Sequence, residues 1–140
     1  MSQENVEIVE SVYALIRLGM RTPTHQVDRL FRDYLDGQFE VHLPSDYPEG
    51  ELVFRAREGM AQFIAMLRET WSEWRFEPEQ YLDAEERVIV SGRILAKGVA
   101  SGVPIELETT HVWTLRAGRV TFLQAYRDRS EALEATGLRE

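Results

Sequence analysis

The chain opens on a helical rhythm. Val6, Val9, Val12, Tyr13, Ile16 and Met20 recur at three- and four-residue spacing, which stacks them along one side of an α-helix. Ser2 can cap its start and Gly19 can help end it. A second helix is predicted from about Thr24, an N-cap after Pro23. Val27, Leu30, Phe31, Tyr34 and Leu35 form its apolar stripe, and Asp36-Gly37 stops it. The period then falls to two over Gln38–Leu43, with Phe39, Val41 and Leu43 facing one way and Glu40 and His42 the other. Pro44–Gly50 reads as a loop and Leu52-Val53-Phe54 as a brief strand. Helical spacing returns from about Glu58 to Trp71, through Met60, Phe63, Ile64, Leu67 and Trp71.

After Trp74 the period is two. Four strands are predicted, at about 74–82, 87–98, 103–115 and 119–127. The links Asp83-Ala84-Glu85-Glu86, Ala100-Ser101-Gly102 and Ala117-Gly118 are too short for a crossover, so consecutive strands must run antiparallel. Asp128-Arg129-Ser130-Glu131 has the form of a capping box, with Asp in place of the usual Ser or Thr, and begins a short helix that Gly137 ends. Helices first and strands later is an α+β signature. The expected architecture is a strongly bent antiparallel sheet wrapped around three helices of the N-terminal half, with a short C-terminal helix. Such a sheet leaves a cone-like interior, filled or hollow.

Composition narrows the function. At 140 residues the chain is read as one domain, 1–140. Lys plus Arg is 16 against 24 for Asp plus Glu, a net charge of −8. That balance argues against nucleic acid or an anionic membrane surface, both of which are held through basic residues. It leaves a small neutral ligand open. There is no cysteine, which excludes disulfides and thiolate chemistry. His25, His42 and His111 lie far apart with no metal-ligand spacing, so neither a metal nor a cofactor is expected. The first residues lack the basic flank and apolar run of a signal peptide, and a cytoplasmic location is expected.

The candidate chemistry centres on Thr109-Thr110-His111-Val112-Trp113-Thr114-Leu115. Alternation puts Thr109, His111, Trp113 and Leu115 on one face, so an imidazole stands among apolar neighbours. It is either a proton-transfer group in a pocket or a structural histidine bonded to backbone or to Thr109. Glu40 and His42 share a face of the short strand and reach either a polar cavity or solvent at the sheet edge. Tyr13 lies on the apolar stripe of the first helix, where its hydroxyl either supports an oxyanion or sits at the rim of the core. Arg93 stands alone in an apolar strand and needs a carboxylate or a ligand anion. Asp128 could supply that partner or cap the last helix. Trp71, Phe76, Trp113 and Tyr126 belong to the core, to a dimer interface or to the wall of a cavity for a ring-containing ligand.

Taken together, Ser2-Gln3-Glu4-Asn5-Val6 leading into Tyr13, Glu40-Val41-His42-Leu43-Pro44, Arg55-Ala56-Arg57-Glu58-Gly59, His111–Val120 and Ala125-Tyr126-Arg127-Asp128 resemble the nuclear transport factor 2-like superfamily, and more closely its SnoaL-like branch. The resemblance covers essentially the whole chain. It implies a conical cavity and frequent homodimers. The superfamily that the chain resembles includes ketosteroid isomerases, polyketide cyclases and epoxide hydrolases. With the candidate residues, the expected function is a pocket for a small apolar molecule, either in a cofactor-independent isomerase, cyclase or hydratase or in a non-catalytic binding or dimeric interaction module. Carried over position by position, Tyr13 falls within a residue of the isomerases' tyrosine, His42 near their carboxylate base and His111 near their carboxylic acid. His111, His42 and Tyr13 are thus the catalytic candidates. Trp113, Arg93, Trp71, Phe76, Glu40, Tyr126 and Asp128 are the candidates for holding substrate.

Overall fold

The structure, a computed structural model, describes residues 2–19, 23–43 and 52–137. Its elements are α1 (Ser2–Gly19), α2 (Pro23–Asp33), β1 (Leu35–Leu43), β2 (Leu52–Arg55), α3 (Ala56–Thr70), β3 (Trp71–Ala84), β4 (Arg87–Gly98), β5 (Pro104–Arg116), β6 (Arg119–Tyr126) and α4 (Arg129–Thr136). The expected loop at Pro44–Gly50 and Met20 lie outside the described residues, as do the side chains of Ser2, Thr24 and His25.

The α+β cone expected from the residue pattern is what the chain forms. Six strands make one sheet in the order β2-β1-β6-β5-β4-β3. The sheet is mixed rather than wholly antiparallel, because β1 lies parallel to β6, pairing Val41 with Leu123 and His42 with Gln124. A long connection containing a helix permits that pairing, which short turns forbid. Two boundaries also differ from expectation. Leu35 opens β1 instead of closing α2, and Trp71 opens β3 directly after α3. Asp36 explains the first: its carboxylate accepts the Gln38 N–H at 2.8 Å, a local turn that competes with helix.

Alternation sorts the strands into two faces. Phe39, Val41, Val88, Val90, Trp113, Leu115 and Leu123 join the apolar stripes of α1, α2 and α3 in one core. The opposite face carries a small separate cluster in which Ile89 and Val112 pack on Ala132 of α4. Helix α4 is held as the sequence suggests: the Asp128 carboxylate accepts the Glu131 N–H at 2.9 Å, and Gly137 ends the helix at φ 73°. The β5–β6 turn has positive φ at both central residues, 51° at Ala117 and 77° at Gly118. That is the twist a two-residue hairpin needs.

Gly92 lies where the β3–β4 ladder is irregular and Phe76 comes close to β4. It pairs with Pro78 beside a register shift in β3 between Pro78 and Gln80. A Cβ there would collide with the Glu77 carbonyl oxygen and stand 2.8 Å from Phe76 Cζ. The missing side chain lets Phe76 lie down across β4.

Candidate functional site

The site is built on the inner face of β5. Strand alternation aims Thr109, His111 and Trp113 inwards, and all three are buried. Opposite them α1 presents Tyr13, one helical turn after Val9 on the same stripe. The Trp113 indole N–H donates to the Tyr13 oxygen at 2.8 Å. The same oxygen lies 2.7 Å from Nδ1 of His111. The indole can only donate, so the phenolic proton is left for His111, whose Nδ1 accepts it. The imidazole proton then resides on Nε2. The reverse arrangement would place two donors on the Tyr13 oxygen and leave its own proton without a protein acceptor.

Aromatic packing fixes these groups. Phe76 stacks on Tyr13 at 5.0 Å and lies 4.4 Å from the His111 ring, between centroids. Trp113 meets Tyr13 edge-on at 5.2 Å. Burial pulls the His111 pKa down to about 4, so the ring is neutral near pH 7. Burial raises the Tyr13 phenol well above its ordinary value, although the hydrogen bond from Trp113 pulls the other way. Both groups therefore act as neutral hydrogen-bonding groups at ordinary pH.

In front of His111 lies a cavity of about 340 Å³. Phe63, Met66 and Leu67 of α3 form one wall and Ile94, Leu123 and Ala125 of the sheet another, with Trp71 and Trp74 at the end of the cone. His111 and Thr109 are its polar inner groups, and Glu108 and Arg127 also border it. An apolar chamber with a few convergent polar groups is the usual form of a small-molecule site. Among the described residues no cluster of His, Asp and Glu could hold a metal ion.

The structure brings together only part of what the sequence nominates. His111, Tyr13, Trp113 and Phe76 form one contact group, and Trp71 lines the same cavity as His111. Tyr13 and Trp113 stand behind His111 rather than on the cavity wall, so their polar atoms serve the imidazole. His42 and Glu40 are on the opposite face of the sheet. There the His42 Nε2 and a Glu40 oxygen are 2.8 Å apart, Arg55 joins Glu40 at 3.4 Å, and Phe122 lies 4.5 Å from the His42 ring. The hydrogen bond to His42, with help from Arg55, holds the Glu40 carboxyl below its usual range. Period-two alternation from buried Val41 excludes His42 from the cone.

Arg93 is also on the outer face, paired with Glu79 at 3.1 Å and with Glu106. Tyr126 packs near α4 in the outer cluster, and Asp128 caps that helix. Neither reaches the cavity. Sequence reasoning overlooked Gly92, whose signal was a glycine inside the apolar run Val88–Leu95. It also overlooked Ala125, which faces His111 across the β5–β6 pairing and leaves room beside it.

Comparison with known proteins agrees with this architecture. The family model of the SnoaL-like domain matches residues 21–123. The chain belongs to the SnoaL-like domain family. No curated protein sequence matches it. Among solved structures, TerC co-crystallised with polyporic acid is similar over 94% of this chain and 96% of its own, at 20% identity and TM-score 0.73. A protein from Jannaschia sp. CCS1, provisionally named a SnoaL-like polyketide cyclase, aligns over 99% of this chain and 94% of its own, at 18% identity and TM-score 0.73. A Catenulispora acidiphila protein with a ketosteroid isomerase-like fold, in complex with trimethylamine, aligns over 95% and 94%, at 15% identity and TM-score 0.69. At such identities the likeness is one of fold.

Proposed function

We propose that the cone binds a small, apolar, ring-containing molecule and that His111 donates a hydrogen bond from Nε2 to an oxygen on it. The observation that carries this reading is the chain Trp113 to Tyr13 to His111, which ends at an apolar cavity. Burial keeps the imidazole neutral, and two donors in series hold it in one tautomer and one orientation. A neutral N–H aimed at a carbonyl polarises it and stabilises charge that develops on its oxygen. Proton abstraction by His111 suits the arrangement less, because Nδ1 is occupied and the ring is a weak base. Cofactor-free isomerisation or cyclisation through an enol is the reaction type that such a donor would assist. A binder without turnover would use the same contact for affinity alone. Neighbours of the same fold that hold polyporic acid or trimethylamine agree with a small-molecule role.

The outer face extends the reading to a homodimer. Val53, His42 and Phe122 share that face across β2, β1 and β6, and Val53 is exposed. A second copy would cover it. Sedimentation velocity at micromolar concentration would give a dimer, reduced to monomer in Val53→Glu.

The pocket reading is tested with 1-tetralone, a bicyclic ketone, and protein carrying ¹⁵N-labelled histidine. His111 should show the Nε2–H tautomer near pH 7, and tetralone should shift its Nε2–H proton downfield. An Nδ1–H tautomer, or no shift at saturating ketone, overturns the proposal. Turnover assays on cyclic ketones with His111→Ala then separate enzyme from binder.

A further inference from the structure

Most cationic side chains in this acidic chain are already engaged. Arg29, Arg32, Arg55, Arg57, Arg75 and Arg93 pair with carboxylates. Arg87 and Arg119 donate to carbonyl oxygens. Arg127 pairs with Glu131, and Arg129 donates to Gln80. Among the described residues, four cationic side chains have no such contact: Arg17, Arg68, Lys97 and Arg116. Three of the four line one groove. It is a cavity of about 870 Å³ bordered by Arg17 of α1, Arg68 of α3 and Lys97 of β4, with Trp71, Trp74 and Ile105. Arg75 borders it too, balanced by Glu77 at 3.2 Å, and Glu73 is the remaining acidic side chain on its wall. The groove thus carries a net positive charge in a protein whose net charge is −8.

Trp71, Trp74 and Ile105 line both this groove and the cone. The two spaces meet at those residues. We infer that the natural ligand is an amphipathic anion, with its ring-containing body in the cone and an acidic group, carboxylate or sulfonate-like, held in the groove by Arg17, Arg68 and Lys97. This rests on the pocket reading and adds a charge to its ligand. Guanidinium groups suit such a head because they give paired, charge-assisted hydrogen bonds to its oxygens. Two indoles at the junction suit a flat body that passes between the chambers.

A pair of dyes separates the two claims. N-phenyl-1-naphthylamine and 8-anilinonaphthalene-1-sulfonate share a body, and only the second carries an anion. Fluorescence titration at low salt should show both binding, with the sulfonate about tenfold tighter, the effect of one charge-assisted contact. That advantage should vanish at ~1 M NaCl. It should also vanish in Arg17→Gln/Arg68→Gln/Lys97→Gln, while the neutral dye binds as before. Arg116→Gln removes the fourth unpaired cation among the described residues, at the opposite end of the sheet, and should change nothing. If both dyes bind equally, or the triple variant keeps the sulfonate's advantage, the anionic head is wrong and the cone stands. If the sulfonate binds as expected and the neutral dye does not, the groove stands and the cone reading fails. If neither binds, both fail.

Discussion

Tyr13→Phe removes one oxygen and, by the geometry of the site, strands two partners. The phenyl ring keeps its packing on Phe76 and Trp113. The Trp113 N–H loses its acceptor and His111 Nδ1 loses its donor. Trp113 has no measurable exposure and His111 only 8%, so water reaches neither group freely. A buried polar group left unsatisfied costs about 1–3 kcal/mol. Two of them, partly relieved by reorientation, should cost about 3 kcal/mol. Urea denaturation followed by tryptophan fluorescence measures this, and an unchanged m-value would show that the native and unfolded states kept their extents. The cycle with Trp113→Phe isolates the coupling, because in the double variant only His111 remains unpaired; about 1 kcal/mol should be recovered. A Tyr13→Phe loss under ~0.5 kcal/mol, the range of a surface substitution, would refute the hydrogen-bond chain.

Four more expectations follow from the same geometry. His111 is held at about 4, below the ordinary 6.5 of an unfolded histidine. The unfolded chain therefore takes up a proton that the native chain refuses, and stability present above pH 6.5 is lost as pH falls towards 4. The full loss is about 3 kcal/mol, and the difference in pH slope between wild type and His111→Gln measures it. Gly92→Ala forces a Cβ against the Glu77 carbonyl and Phe76; denaturation should show a loss of about 2 kcal/mol, together with a displaced His111 ring resonance. Ala125→Met should fill the cone beside His111 and weaken tetralone at least ~10-fold. Asp128→Ala should cost about 1 kcal/mol through the lost cap and leave tetralone affinity unchanged, because the cap lies away from the cone.

The residue pattern carried the fold well because each signal was local. Alternation around His111 put it on the same face as Trp113, and the turn at Ala117-Gly118 set Arg116 against Arg119 and Leu115 against Val120; a bulge between Thr114 and Leu115, which no turn signal announces, then brings Trp113 against Leu123 and His111 against Ala125. The site was harder to read because it depends on which faces meet. His42 and His111 look alike in sequence, each a histidine on an alternating strand. Alternation from Val41 already turns His42 away from the core face; what lies on that other face shows only in the β1–β6 pairing, a long-range contact that sets His42 beside Gln124 and Phe122. Arg93 followed the same rule: Glu79 and Glu106 are cross-strand neighbours visible only once register is known. Tyr13 was legible as a residue of the apolar stripe but not as the link between an indole and an imidazole. The helix boundary at Leu35 was misread because Asp36-Gly37 signals a stop without saying how many residues earlier the helix has ended.

The parallel contact between β1 and β6 also sets an order of events for the nascent chain. β1 is made early, and the partner that covers its other edge is the last strand to be made. Until then the growing polypeptide can complete only the β1–β2 hairpin and the β3–β4–β5 meander as separate pieces. Loop closure across more than half of the sequence must precede the chamber's formation. A chain stopped short of Arg119 would expose the buried side of Val41 and an unpaired strand edge to other chains, the condition under which sheets aggregate. The final strand thus acts as a completion check, because the chamber in front of His111 takes part of its wall from Leu123 and Ala125 and closes only in molecules whose synthesis has reached them.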